Sequence, residues 1–133
     1  MDSRMTFTNE CLLIDDDADD QEIFLMALEK VDKNIHCTVA HDAFEGLRKL
    51  SADNAFTPRH IFLDLNMPRM NGLECLREIK KLGHLSDSKV IMFSTSSDAR
   101  AIEASRQLGA DDYIVKPSGF DVLVKTLTSV IEK

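Results

Sequence analysis

The sequence predicts an α/β fold in which a parallel sheet is covered by helices on both faces. Three observations carry that expectation. Short apolar runs rich in β-branched residues are too brief for helices and read as buried strands, while the segments between them carry apolar residues at helical spacing. Glycine (5) and proline (3) are scarce in 133 residues, so regular elements must occupy most of the chain. Strands alternating with helices five times imply parallel pairing through right-handed crossovers.

The elements follow in order. Cys11 to Ile14 is the first run, followed by the acids Asp15, Asp16, Asp17, Asp19 and Asp20 and by a helical face of Ile23, Phe24, Ala27, Leu28 and Val31. His36 to Ala40 is the weakest strand candidate; Asp42 then stands where a helix cap belongs, ahead of Phe44, Leu47 and Leu50. Ile61 to Leu63 runs into Asp64, and Asn71 is placed to cap a helix carrying Leu73, Leu76 and Ile79. Val90 to Phe93 runs into Ser94-Thr95, with Asp98 the expected cap of a helix carrying Ile102 and Leu108. Tyr113 to Val115 runs into Lys116-Pro117, after which Ser118 is the expected cap of a last helix through Phe120, Val124, Leu127 and Ile131.

Composition narrows the function. Sixteen Lys and Arg against 23 Asp and Glu give a net charge of −7, a poor match for a phosphate backbone, so nucleic acid is not an expected partner. The longest apolar stretch, Ile23 to Leu28, is far short of a membrane span, and the first ten residues lack the apolar core of a secretory signal. Cys11, Cys37 and Cys75 have no ligand-pair spacing and an odd count, as expected of idle thiols in a reducing compartment, so the protein is expected to be soluble and cytoplasmic. The four histidines are scattered without ligand spacing, and the six methionines read as core filler.

In a parallel sheet of this kind ligands bind beyond the carboxyl ends of the strands. Those ends here carry Asp15-Asp16-Asp17, Asp64, Ser94-Thr95 and Lys116-Pro117. Two carboxylates about 4 Å apart repel by about 4 kcal/mol at an effective dielectric of 20, so three in one pocket call for a cation. Oxygen ligands alone favour a hard one, Mg²⁺ first and Mn²⁺ next. Taken by itself, the acid run is equally a solvated loop and helix N-terminus, Ser94 and Thr95 are ordinary loop residues, and Lys116 before proline is a strand terminator. Asp64 differs, because an acid ending a buried strand is costly unless partnered.

With these residues in place, the chain resembles the receiver domain of two-component response regulators from about Glu10 to Ile131. The landmarks are Leu12-Leu13-Ile14-Asp15-Asp16-Asp17, Ile61-Phe62-Leu63-Asp64-Leu65-Asn66-Met67-Pro68 with Gly72, Val90-Ile91-Met92-Phe93-Ser94, and Gly109-Ala110-Asp111-Asp112-Tyr113-Ile114-Val115-Lys116-Pro117. The resemblance implies a (βα)₅ flavodoxin-like three-layer sandwich with strand order 2-1-3-4-5. It also implies that Asp64 is the phosphoacceptor and that Asp15, Asp16, Asp64 and the main-chain carbonyl of Asn66 hold Mg²⁺. By the same resemblance Ser94 and Lys116 bind the phosphoryl group, and Ser94 and Tyr113 form the switch. Three departures stand out: Thr95 where the family often has a small residue, Ser118-Gly119 ahead of Phe120, and a third acid, Asp17, beside the two expected metal ligands.

The expected function is therefore a signalling switch rather than an enzyme, with only self-catalysed phosphoryl transfer and autodephosphorylation. Residues 1–9 are expected to be a short N-terminal extension and 10–133 the receiver domain, with no effector domain. The implied partners are a histidine kinase or phosphotransfer protein and a downstream protein, with room for a homodimer and no role for a membrane. Two other readings compete: a haloacid-dehalogenase-like phosphatase using Asp15, with Asp17, Ser94 and Lys116 in that family's order, and a pseudo-receiver that only binds. The first leaves Asp64 to Gly72 unexplained, and the intact set of Asp64, Ser94 and Lys116 argues against the second.

Overall fold

The computed structural model describes residues 10–132, so the expected extension over residues 1–9 lies outside the described residues. Five strands, β1 (Glu10–Ile14), β2 (His36–Ala40), β3 (His60–Leu63), β4 (Lys89–Ser94) and β5 (Asp112–Val115), alternate with helices α1 (Ala18–Val31), α2 (Ala43–Ala52), α3 (Gly72–Ile79), α4 (Ala99–Gln107) and α5 (Phe120–Ile131). A 3₁₀ turn, Gly83–Leu85, precedes β4. The strands are parallel in the order β2-β1-β3-β4-β5, as the resemblance implied. No described helix is long and apolar enough to cross a membrane.

Strand alternation divides the core in two. Leu12 and Ile14 of β1, Ile61 and Leu63 of β3 and Val90 and Met92 of β4 face Leu50 of α2 and Cys75, Leu76 and Ile79 of α3. Cys11, Leu13, Phe62, Ile91 and Phe93 face the other way, against Phe24, Ala27 and Leu28 of α1 and Leu123, Leu127 and Val130 of α5. Phe24 locks that second layer, its ring edge-on to Phe62 at 4.9 Å and to Phe93 at 5.5 Å. The central strands β1 and β3 are buried on both faces, which explains their continuous apolar runs; β2 is an edge strand with only Ala40 fully buried, which explains its weak signal. Cys11 and Cys37 are register partners on β1 and β2, and both are free thiols, as is Cys75.

The helix faces depart from the sequence expectation in four places. Helix α1 packs through Gln21, Phe24, Ala27 and Leu28, a stripe that leaves Ile23 beside it and 46% exposed. Phe44 is also exposed, its ring covered from outside by the Arg69 guanidinium at 5.0 Å. In α5 the buried stripe is Leu123, Leu127 and Val130, so Phe120 lies in the first turn at the surface while Val124 and Ile131 only flank the core. Gly119 rather than Ser118 is the N-cap of that helix, and it makes no side-chain cap hydrogen bond.

The remaining expected caps are in place. Asp42 accepts from the Glu45 N–H, Asp98 from the Arg100 N–H, and Asn71 forms a reciprocal capping box with Glu74 at 2.9 and 3.0 Å. Helix α3 has only eight residues and begins directly after the Asp64 loop, so this cap fixes the end of the loop as well as the helix. Asn71→Ala is expected to destabilise the protein by about 1 kcal/mol in urea denaturation, with Asn71→Asp close to the parent.

Candidate functional site

Parallel pairing brings the carboxyl ends of β1, β3, β4 and β5 to one edge, and each end delivers at least one polar side chain there. The Asp15 N–H donates to the Ala40 carbonyl at 3.1 Å and the Asp64 N–H to the Ile14 carbonyl at 2.9 Å, so both acids continue the sheet's hydrogen-bond ladder past its last strand residues. Ser94 closes β4 and is fully buried; its carbonyl accepts from the Lys116 N–H at 2.7 Å, which sets Lys116 just beyond β5. The Lys116 ammonium lies 5.4 Å from the centre of the Phe93 ring, over the apolar floor of the site. Asp15 and Asp64 are buried, Asp16 is exposed at the mouth, and ligand oxygens of these three lie within 4.8 Å of one another.

Among the described residues, one ammonium serves this acid group. Lys116 Nζ donates to Asp15 Oδ2 at 2.9 Å and to Asp20 Oδ2 at 2.8 Å, and stands 3.9 Å from Asp64 Oδ1. Burial pushes the Asp15 and Asp64 carboxyls up from their ordinary range. For Asp64, Lys116 and the Asn66 backbone N–H pull back against burial while Asp15 and Asp16 push further, leaving it at about 6. Burial alone would lower Lys116, but hydrogen bonds to Asp20 and Asp15 and the charge of Asp64 raise it above the ordinary value. The site is thus short of positive charge, and three carboxylates with no thiolate among them suit a hard cation such as Mg²⁺.

The structure separates the roles of the acid run. Asp17 is the N-cap of α1, its carboxylate accepting from the Asp20 N–H at 3.0 Å, while its own N–H donates to Asp15 Oδ1 at 2.9 Å. Each Asp15 oxygen thus accepts a hydrogen bond, from the Asp17 N–H and from Lys116, and the Asp17 carboxylate is spent on the helix cap. Asp20 was missed as a partner of Lys116; the only sequence signal for it is its place in the first turn of the helix, four residues after Asp16. Gln21 was missed as well. It is buried, its side-chain amide donating to the Asp15 carbonyl at 2.6 Å and meeting His41 Nδ1 at 3.2 Å.

The expected switch pair meets through one residue. Ser94 Oγ accepts from the Ser96 N–H at 3.1 Å, and the Tyr113 hydroxyl donates to the Ser96 carbonyl at 2.7 Å, so the two side chains hold the peptides on either side of the same residue. Thr95 between them is exposed. On the other side, the Asp64 loop is held by Gly72, whose N–H donates to the Leu65 carbonyl at 2.7 Å, and by Arg69, which adopts a φ of 69° and pairs with Asp42 at 2.9 Å.

Comparison with known proteins gives a consistent result. The family model for the response regulator receiver domain matches residues 11–128. The probable C4-dicarboxylate response regulator DctR of Priestia megaterium is 31% identical over 116 residues, covering 87% of this chain and 49% of that protein. The chain spans about half the length of the curated relatives it matches. Among solved structures, the phosphorylated cyanobacterial phytochrome response regulator RcpA is 26% identical with a TM-score of 0.83, over 93% of this chain and 91% of that one. The Mn²⁺-bound form of response regulator Rcp1 is 25% identical with a TM-score of 0.79, over 92% and 91%.

Proposed function

Because the chain belongs to the response regulator receiver domain family, we propose that Asp64 takes a phosphoryl group from the phosphohistidine of a histidine kinase or phosphotransfer protein. The aspartyl phosphate then alters a surface that a downstream protein reads. The observation that carries this reading is the placement of Asp64, buried at a strand end within reach of Lys116 and of two further carboxylates. A carboxylate kept out of water is a better nucleophile, and here it can shed its charge only by taking a proton, a cation or a phosphoryl group.

An Asp64 oxygen attacks the phosphorus, the phosphorus–nitrogen bond breaks, and the imidazole, already protonated on its other ring nitrogen, leaves neutral with the electron pair of the broken bond. Lys116 pairs with the phosphoryl oxygens, and the Ser94 hydroxyl donates to one of them after leaving the Ser96 N–H. Asp15, Asp16, Asp64 and the Asn66 carbonyl would hold Mg²⁺, or Mn²⁺, which when bound neutralises charge on the phosphoryl oxygens. Exposed Ile23 and Phe120 flank a groove beside Lys116, an apolar landing for the donor protein. Redirection of Ser94 releases the Ser96 N–H, and Tyr113 holds the carbonyl of that same residue, so the response spreads through Ser96 into the segment leading to α4. The phosphorylated state of RcpA and the Mn²⁺-bound state of Rcp1 support this reading by similarity.

Acetyl phosphate with Mg²⁺ is expected to add one phosphoryl group to the intact protein by mass spectrometry, and a chelator to prevent it; no mass gain would overturn the reading. The metal step carries a pH signature. Proton and cation compete for Asp64, which sits at about 6, so Mg²⁺ affinity measured by calorimetry is expected to fall about tenfold from pH 7 to pH 5.

A further inference from the structure

The shared ammonium of Lys116 has a second holder. A lysine ammonium has three N–H donors. Two of those on Lys116 are taken by Asp15 and Asp20, at 2.9 and 2.8 Å, and Asp64 at 3.9 Å lies outside hydrogen-bond distance. The resting lysine is thus drawn toward the first turn of α1 and away from the acid it must serve. Asp20 is not free to follow it. Its backbone is tied by the Asp17 cap at 3.0 Å, and the next residue, Gln21, is buried with its amide on the Asp15 carbonyl at 2.6 Å.

The two holders differ in what happens when the site fills. Asp15 belongs to the group of carboxylates that suits a cation, so its hold on Lys116 weakens as its charge is shared. The oxygens of Asp20 are not in that group. Asp20 therefore keeps its ion pair, and its negative charge also opposes a phosphoryl group of about −1.5 to −2. Competition for the ammonium and repulsion of the phosphoryl group act in the same direction.

Resting on the phosphoacceptor reading above, we propose that Asp20 is a positioning residue that restrains Lys116 and so weakens the site's hold on a phosphoryl group at Asp64. It sets how readily the switch turns on without touching the reacting atoms. The test uses beryllium fluoride, which mimics the aspartyl phosphate, titrated at saturating Mg²⁺ and followed by amide NMR.

Asp20→Asn keeps the shape and removes the charge, and is expected to bind beryllium fluoride about three to five times more tightly, the size of one partly screened ion pair. Asp20→Glu restores the charge and is expected to stay within about twofold of the parent. In the metal-free protein the Lys116 ammonium resonance is expected to move in Asp20→Asn and to stay near its place in Asp20→Glu. Equal or weaker binding by Asp20→Asn, tightening in Asp20→Glu to match it, or an unmoved Lys116 resonance would overturn the restraint alone. A parent protein blind to beryllium fluoride would overturn the phosphoacceptor reading and the restraint together.

Discussion

Asp64→Asn is expected to abolish phosphoryl uptake while making the metal-free protein more stable at pH 7, by up to about 3 kcal/mol. The first half follows from chemistry: an amide does not replace the carboxylate nucleophile. The second half follows from burial. Asp64 sits at about 6 in the folded protein against 3.8 as its ordinary value, so the folded state holds this proton more tightly than the unfolded chain does. A carboxyl raised in this way contributes its stability below 3.8 and loses it as pH rises through 6; a difference of about two pKa units at about 1.4 kcal/mol each gives the figure above. In urea denaturation with a chelator present, the gap between variant and parent should be widest at pH 7 and should close toward pH 4. Saturating Mg²⁺ should stabilise the parent more than the variant. A variant less stable than the parent at pH 7 would mean that the ionised carboxylate is satisfied as it stands.

The second large effect is at Gly72. A Cβ there would run into the Asp64 carbonyl oxygen and come within 2.8 Å of the Leu65 Cα, both of them backbone atoms that no side-chain rotation can clear. The Gly72 N–H to Leu65 carbonyl bond, 2.7 Å, is the reason the two segments are so close. Gly72→Ala must therefore push the start of α3 away from the Asp64–Leu65 peptide. We expect a loss of about 3 kcal/mol in urea denaturation, together with slower phosphorylation because Asp64 itself is displaced. Gly83→Ala is the control. A Cβ at Gly83 meets nothing within 4 Å, and its expected change is within about 0.5 kcal/mol.

Much of this architecture is legible in the sequence because the site sits where the pattern changes. The apolar runs ending in Asp64 and Ser94 are buried strands, and a polar residue at such an end has to be satisfied by something, which marks it for chemistry. Strand order is different: periodicity gives a parallel sheet, and the order 2-1-3-4-5 came from the family resemblance. The acid run shows the opposite limit. Asp15, Asp16, Asp17 and Asp20 look alike in sequence, yet one is buried against Lys116, one lies at the mouth, one caps α1 and one reaches back to Lys116. Which role each takes depends on the angle at which the helix leaves the strand, a tertiary property.

The same holds for apolar residues at helix starts. Ile23, Phe44 and Phe120 fit helical spacing but lie beside the stripes that the sheet covers. Ser118 is a good capping residue in general, yet the chain turns into α5 one residue later, at Gly119.

The most direct test of the account asks which carboxylate carries the phosphoryl group. Protein treated with acetyl phosphate and Mg²⁺ can be reduced with borohydride, which converts an aspartyl phosphate to homoserine, and then mapped by peptide mass spectrometry. The expected result is homoserine at position 64 and at no other aspartate. Homoserine at position 15, with Asp64 intact, would contradict the phosphoacceptor assignment and return the site to phosphatase chemistry.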